Sequence, residues 1–264
     1  MMFNRYPRIT IGVLSAVLFT IIAGCGSGIT MKAYNTAEEQ YSKSMDAYRG
    51  KNYLKAIDGF QKVVYNFSGA QMVDSAQYYL AMSYYQDKDF FLAASEFERL
   101  VNNYPGSPYV DDAQYMSGLC YFKSSPKHYG LDQVELFKAL EMLHDFVTDY
   151  PQSELIPDAK ETIKQGRARL ANKQYDSGRM YHRLGYYTSA RIYFQSVIDD
   201  FTDSEFAPQS LYYLAEIEQK TENLVEAKTK LKNFLIIYPE HKFAEKAKDK
   251  INEIEKKLAE TETN

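Results

Sequence analysis

Two cysteines and four histidines are the side chains in this chain best suited to metal or thiol chemistry: Cys25, Cys120, His128, His144, His182 and His241. A zinc site needs four such ligands at short, regular spacing, and these six are scattered with no C-x-x-C or H-x-x-x-H between them. The run Gly24-Cys25-Gly26-Ser27-Gly28 has neither the lysine nor the preceding strand of a phosphate loop. No G-x-S-x-G elbow occurs. Asp111-Asp112 and Asp199-Asp200 fall at the ends of periodic segments, where carboxylates cap and solvate helices rather than catalyse. Cys120, set among Leu119, Tyr121 and Phe122, reads as a small buried hydrophobe. No catalytic constellation emerges, and the expectation is a protein that is not an enzyme, with no metal and no diffusible cofactor.

Cys25 stands apart. Arg5 and Arg8 are the only charges before Lys32, and residues 9–24 are apolar or small. That run is shorter than the roughly 20 residues a spanning helix needs, and a basic start before a short apolar run is the pattern of a secretory signal peptide. Its end, Ile22-Ala23-Gly24-Cys25, resembles the bacterial lipobox. The resemblance implies cleavage after residue 24 and covalent diacylglycerol and N-acyl lipid on Cys25. Residues 25–35 then form a lipidated tether. Cleavage removes two of 31 basic residues and none of 35 acidic ones, so the net charge moves from -4 to -6. Two or more acyl chains hold a protein stably on a membrane without a spanning helix. Gly26, where many bacteria use Asp to retain a lipoprotein in the inner membrane, favours the outer membrane.

What would position a surface on such an anchor is a repeat. Five segments share a phase: aromatic or Leu, two residues, Ala (Ser-Ala in the fourth), then apolar residues four and seven on and an aromatic eleven on. Their alanines are Ala56, Ala93, Ala139, Ala190 and Ala227, spaced by 37, 46, 51 and 37 residues. Each is preceded by a second segment with apolar residues at three- and four-residue spacing, as in AQYYLAMSYYQDKD. No strand alternation is sustained. Helix pairs that bury their apolar faces only against neighbouring pairs are the physical consequence, giving an all-α fold. A 45% hydrophobic, 25% charged composition fits this, and a net charge of -4 argues against nucleic acid as a partner.

The pattern resembles the tetratricopeptide repeat, which implies a solenoid of about five helix pairs. Two departures are informative. An insertion, 123–135, interrupts unit three and should be a loop. Residues 157–184 read as one long helix. The expected organisation is therefore an N-terminal array of three units over 36–156, and the long helix plus units four and five and a capping helix over 157–264.

The lipobox, the Y-P-x-S turns, the loop in unit three, Asp158-Ala159 through Ala171, and Tyr181-x-x-x-Gly185-x-Tyr187-x-x-Ala190 are together similar to the BamD family of outer-membrane assembly lipoproteins. The resemblance implies a periplasm-facing protein of the outer membrane. It implies binding to the POTRA region of the insertase BamA, association with other lipoproteins of the machinery, and delivery of unfolded β-barrel proteins. Some members carry an arginine at the BamA contact where this chain has Tyr193, so that contact is not carried over; Arg191 lies near. A different periplasmic repeat scaffold, such as a cell-envelope or cell-division coordinator, is the alternative.

In such repeats the first helix of each pair lines a groove. In register, this places Tyr41, Met45, Tyr48, Tyr78, Met82, Tyr85, Tyr115, Leu119 and Phe122 on one N-terminal wall, suited to a segment with apolar anchors. Units four and five offer the more polar Tyr175, His182, Tyr212 and Gln219. The basic stretch of the long helix, with Arg167, Arg169 and Lys173, together with Arg191, is the expected BamA docking face.

Overall fold

The computed structural model describes residues 36–262. The expected signal peptide (1–24), the expected lipidation site Cys25 and the expected tether (25–35) lie outside the described residues. The described chain folds as helices joined by short turns, in the order α1 (Ala37–Arg49), α2 (Tyr53–Asn66), α3 (Val73–Gln86), α4 (Phe90–Asn103), α5 (Val110–Ser124), α6 (Val134–Asp149), α7 (Ile156–Arg183), α8 (Tyr187–Asp200), α9 (Phe206–Lys220), α10 (Leu224–Ile237) and α11 (Ala244–Glu262). No strand occurs among the described residues. Each helix packs on the next, and α1 also touches α3, α5 touches α7, and α7 touches α9. This is the stacked helix-pair architecture that the repeat phase requires.

The phase residues are the core. All five repeat alanines are fully buried, as are the residues four on (Phe60, Phe97, Leu143, Phe194, Leu231) and seven on (Val63, Leu100, Phe146, Val197, Phe234). Burying each of the large side chains contributes about 1.5–3 kcal/mol. Alanine at the crossing lets two helix backbones approach; the residues at +4 and +7 lie on the same face and fill the space around it. The aromatic at +11 (Phe67, Tyr104, Tyr150, Phe201, Tyr238) ends each second helix as its C-cap, its N–H bonding the carbonyl of the +7 residue. Pro follows in three units and disfavours further helix at the preceding residue; Phe67 and Phe201 adopt the same geometry without it. The turn serine then ties units together: Ser107 Oγ donates to Asp74 at 2.8 Å and Ser153 Oγ to Asp111 at 3.2 Å.

Within each pair the turn is equally regular. One left-handed residue precedes the second helix by two positions: Lys51 (φ 58°), Lys88 (φ 67°), Gly185 (φ 78°) and Glu222 (φ 63°). Asn52 and Asp89 then cap the helix, accepting from Lys55 and Leu92 N–H at 3.3 Å. In unit three the insertion replaces this turn. Its expected span was 123–135, but Lys123 and Ser124 continue α5 and Val134 and Glu135 open α6, leaving 125–133 as the loop.

The 28-residue α7 joins the two expected arrays into one core. A single cluster runs from Ala81 on α3 through Leu170 and Ala171 on α7 to Ile217 on α9. Two smaller clusters lie at the ends, under α1–α3 and under α9–α11. Glycines allow α7 its close contacts. A methyl at Gly166 would sit 2.6 Å from Leu140 Cδ2, and one at Gly178 would sit 2.8 Å from the Phe194 ring. The first half of α7 thus packs on unit three and the second half on unit four.

Candidate binding surface

The N-terminal wall is built from consecutive first helices. Tyr41 is half-buried, its hydroxyl paired with Ser75 Oγ at 2.6 Å and its ring edge-on to Phe60. Met45 and Tyr48 pack beside it, and Tyr48 meets Tyr53 and Tyr79 edge-on. Tyr78 stacks on Tyr109 with centroids 4.6 Å apart and meets Phe97 edge-on. Met82 and Tyr85 are half-buried, with Tyr85 against Phe90 and the Lys123 ammonium 5.8 Å from its ring. Burial raises the phenol pKa of Tyr41, Tyr48 and Tyr78, with the Ser75 bond opposing this at Tyr41 and the Asp112 charge adding to it at Tyr78. These rings stay neutral donors at any physiological pH.

Two residues expected on this wall are core instead. Tyr115 and Phe122 are buried, the first against Phe146 and the second beneath the Arg169 guanidinium. The cause is α7. It lies against α5 and roofs unit three, so that Tyr115 comes within the influence of Asp158 and Thr162. The half-buried part of the wall is therefore Tyr41, Met45, Tyr48, Tyr78, Met82 and Tyr85 of units one and two, with Leu119 alone from unit three. Two partners escaped the register argument: Tyr79, one residue off phase, and Tyr109, whose place in the Y-P-G-S-P-Y turn was the available signal. In unit four Tyr175 is buried and donates to Gln209 Oε1 at 2.8 Å; in unit five Tyr212 is buried against Phe234 and Phe243.

The four cations expected to dock a partner all make contacts within the chain. Arg167 donates to Asp203 Oδ1 and to the Asp200 carbonyl, each at 2.8 Å, which raises its own pKa and lowers that of Asp203. Arg191 pairs in a fork with Glu218, a carboxylate buried to 2% exposure that also accepts from Asn223 Nδ2 at 3.1 Å. Arg169 lies 4.1 Å over Phe122 and donates to Ser125 Oγ at 3.1 Å. Lys173 Nζ reaches the Leu131 carbonyl at 3.4 Å. Arg169 and Lys173 therefore pin the inserted loop to the long helix, while Arg167 and Arg191 join unit four to its neighbours.

No group of three or more His, Cys, Asp or Glu side chains among the described residues is placed to hold a metal. Cys120 is fully buried, and burial pushes its thiol up to about 12. It is therefore a packing residue, not a nucleophile.

Fold and surface together define a helix-pair repeat scaffold with an aromatic wall at its N-terminal end. The chain belongs to a family described as outer membrane lipoprotein (YfiO), whose profile matches residues 33–222. It is 33% identical over 85 residues to the outer membrane protein assembly factor BamD of Caulobacter vibrioides; that alignment covers 32% of this chain and 28% of the relative. Among solved structures, the TPR2AB-domain:pHSP90 complex of yeast Sti1 is 14% identical over 86% of both chains, with a TM-score of 0.42. The P58(IPK) TPR domain is 18% identical over 83% of this chain and 56% of that one, also at 0.42. No described helix is long and apolar enough to cross a membrane.

Proposed function

We propose that this chain is a non-enzymatic lipoprotein on the periplasmic face of the outer membrane that binds BamA and hands it unfolded β-barrel proteins. The match to the outer membrane lipoprotein family over residues 33–222 carries this reading, and the assembly-factor name of the Caulobacter vibrioides relative supports it. Covalent lipid on Cys25 supplies the membrane attachment. The half-buried aromatics and methionines of units one and two take aromatic-rich client segments, because Tyr and Met offer large or adaptable contact area. Units four and five, with α7, form the docking side for BamA, and the other lipoproteins of the machinery are further partners.

Affinity purification of the full chain from detergent-solubilised membranes tests the partner. Stoichiometric BamA supports the reading; its absence under conditions that keep the chain folded overturns it in favour of another periplasmic scaffold. The client wall has its own test. Tyr78 is stacked into the fold, so the informative substitutions are Met45→Ala with Tyr85→Ala. They should weaken a client C-terminal peptide by about tenfold or more while helicity is retained, the scale of a lost anchor residue. Unchanged affinity would remove the wall from the mechanism.

A further inference from the structure

The cations nominated for docking fall into two groups. Arg167 and Arg191 face Asp203 and Glu218, and the half-buried Arg99 holds Glu96. Arg169 is different. Its guanidinium is half-buried, yet both its partners, the Phe122 ring and the Ser125 hydroxyl, are neutral. Burial alone pulls its pKa below the usual range, with no carboxylate acting on it. Lys173 stands one turn further along the same face of α7, with Cβ atoms about 6 Å apart at this spacing, and it too contacts only a neutral group, the Leu131 carbonyl. Asp176, on the next turn, is held by Arg179.

A partly desolvated cation with no counter-charge raises the free energy of the folded chain, and an arriving oxyanion removes that cost. The planar fork of arginine suits a carboxylate bidentately, and a nearby ammonium adds a second point of attraction. Beside the pair lies a recess between the inserted loop and α7, lined by Tyr129, Gly130, Lys173, Asp176, Ser177, Met180 and Arg183; the one carboxylate among them, Asp176, is already paired with Arg179. A recess of this kind admits a side chain and excludes the plane of a bilayer.

We propose that the junction of the 125–133 loop with α7 is a carboxylate subsite. Arg169 and Lys173 there receive an acidic side chain or a chain terminus of a docked protein, with an adjoining apolar side chain seated between Tyr129 and Met180. This deepens the docking reading of α7, and rests on it only in taking a protein as the source of the carboxylate.

The probe is N-acetylphenylalanine, which carries one carboxylate and one ring, set against its uncharged amide. The full chain in detergent micelles is titrated while the arginine Nε–Hε resonances are followed by NMR, with Arg169 assigned from Arg169→Gln. The carboxylate probe should shift the Arg169 resonance and bind at least about tenfold tighter than the amide, the scale of a charge-assisted pair. Arg167 and Arg191 should stay unmoved. Arg169→Lys, which keeps the charge and guards against misfolding of the Gln variant, should retain weakened binding. Equal binding of probe and amide, or no movement at Arg169, overturns the subsite. Phosphatidylglycerol bicelles that move Arg169 when the carboxylate probe does not would assign the pair to lipid headgroups and overturn the proposal. Loss of BamA copurification with the probe result intact would sink only the partner reading; the reverse outcome would sink only the subsite.

Discussion

Gly178 shows how much a single hydrogen can decide. A methyl there would sit 2.8 Å from the Phe194 ring, itself fully buried in the core and stacked on Tyr213. Gly178→Ala should lower stability by about 1–3 kcal/mol through overpacking, read as a drop in thermal midpoint. Gly69→Ala, where nothing lies within 4 Å, should not. His182 gives a pH dependence at the same scale. Burial holds its pKa below 6.5, its Nε2 has no hydrogen-bond partner, and Glu216 opposes the shift only in part. His241 is lowered too. A group depressed on folding favours the folded state while neutral. That preference is whole above the unfolded value near 6.5 and is lost as pH falls through the folded value. Chemical denaturation midpoints should therefore decline from pH 7 towards pH 5, and His182→Phe should flatten part of that decline.

At the scale of elements, the sequence was read best where one phase repeats. Ala, +4 and +7 are legible because a buried helix crossing needs one small residue and two large ones on the same face, five times over. The start of the second helix followed from the same phase in units one, two, four and five, while in unit three the helix opens at Val134, two residues ahead of it. Tyr115 and Phe122 were misplaced because their exposure depends on α7, an element distant in sequence whose extra length covers unit three. Local periodicity shows that a helix has an apolar face, not how many neighbours share it. The basic residues of α7 and α8 were visible as charge, but the pairing of Arg167 with Asp203 and of Arg191 with Glu218 was not, since those acids lie some thirty residues away. The turns carry a prediction of their own. Lys51, Lys88 and Glu222 hold the left-handed conformation that Gly185 adopts without a Cβ. Lys88→Gly should thus stabilise the fold by up to about 1 kcal/mol, as the relief of a left-handed side-chain clash outweighs the added freedom of the unfolded chain. A lower midpoint in urea for that variant would show that Lys88 contributes something the φ value does not capture.

For the whole molecule, core continuity sets the order of opening. The large cluster binds α3 through α9, while α1–α2 and α10–α11 are held by the smaller end clusters. In a stacked array stability is a sum over neighbours, and end units have one neighbour fewer. Native-state hydrogen exchange should find the slowest amides in α5, α6 and the middle of α7, with faster exchange at both ends. Uniform protection from α1 to α11 would mean that the array opens as one unit.

Gly166 and Gly178 are twelve residues apart on an unbroken helix. At 1.5 Å and 100° per residue, they are separated by roughly 18 Å along the axis and about 120° around it. The helix is thus a gauge as well as a strut. Its residue count fixes both the offset and the dihedral between the unit on which it begins and the unit on which it ends. Point substitutions leave that count untouched, but one inserted residue between the glycines would swing the downstream units by about 100°. The relative bearing of the N-terminal aromatic wall and of units four and five is therefore written in the length of one segment, where evolution by substitution cannot easily change it.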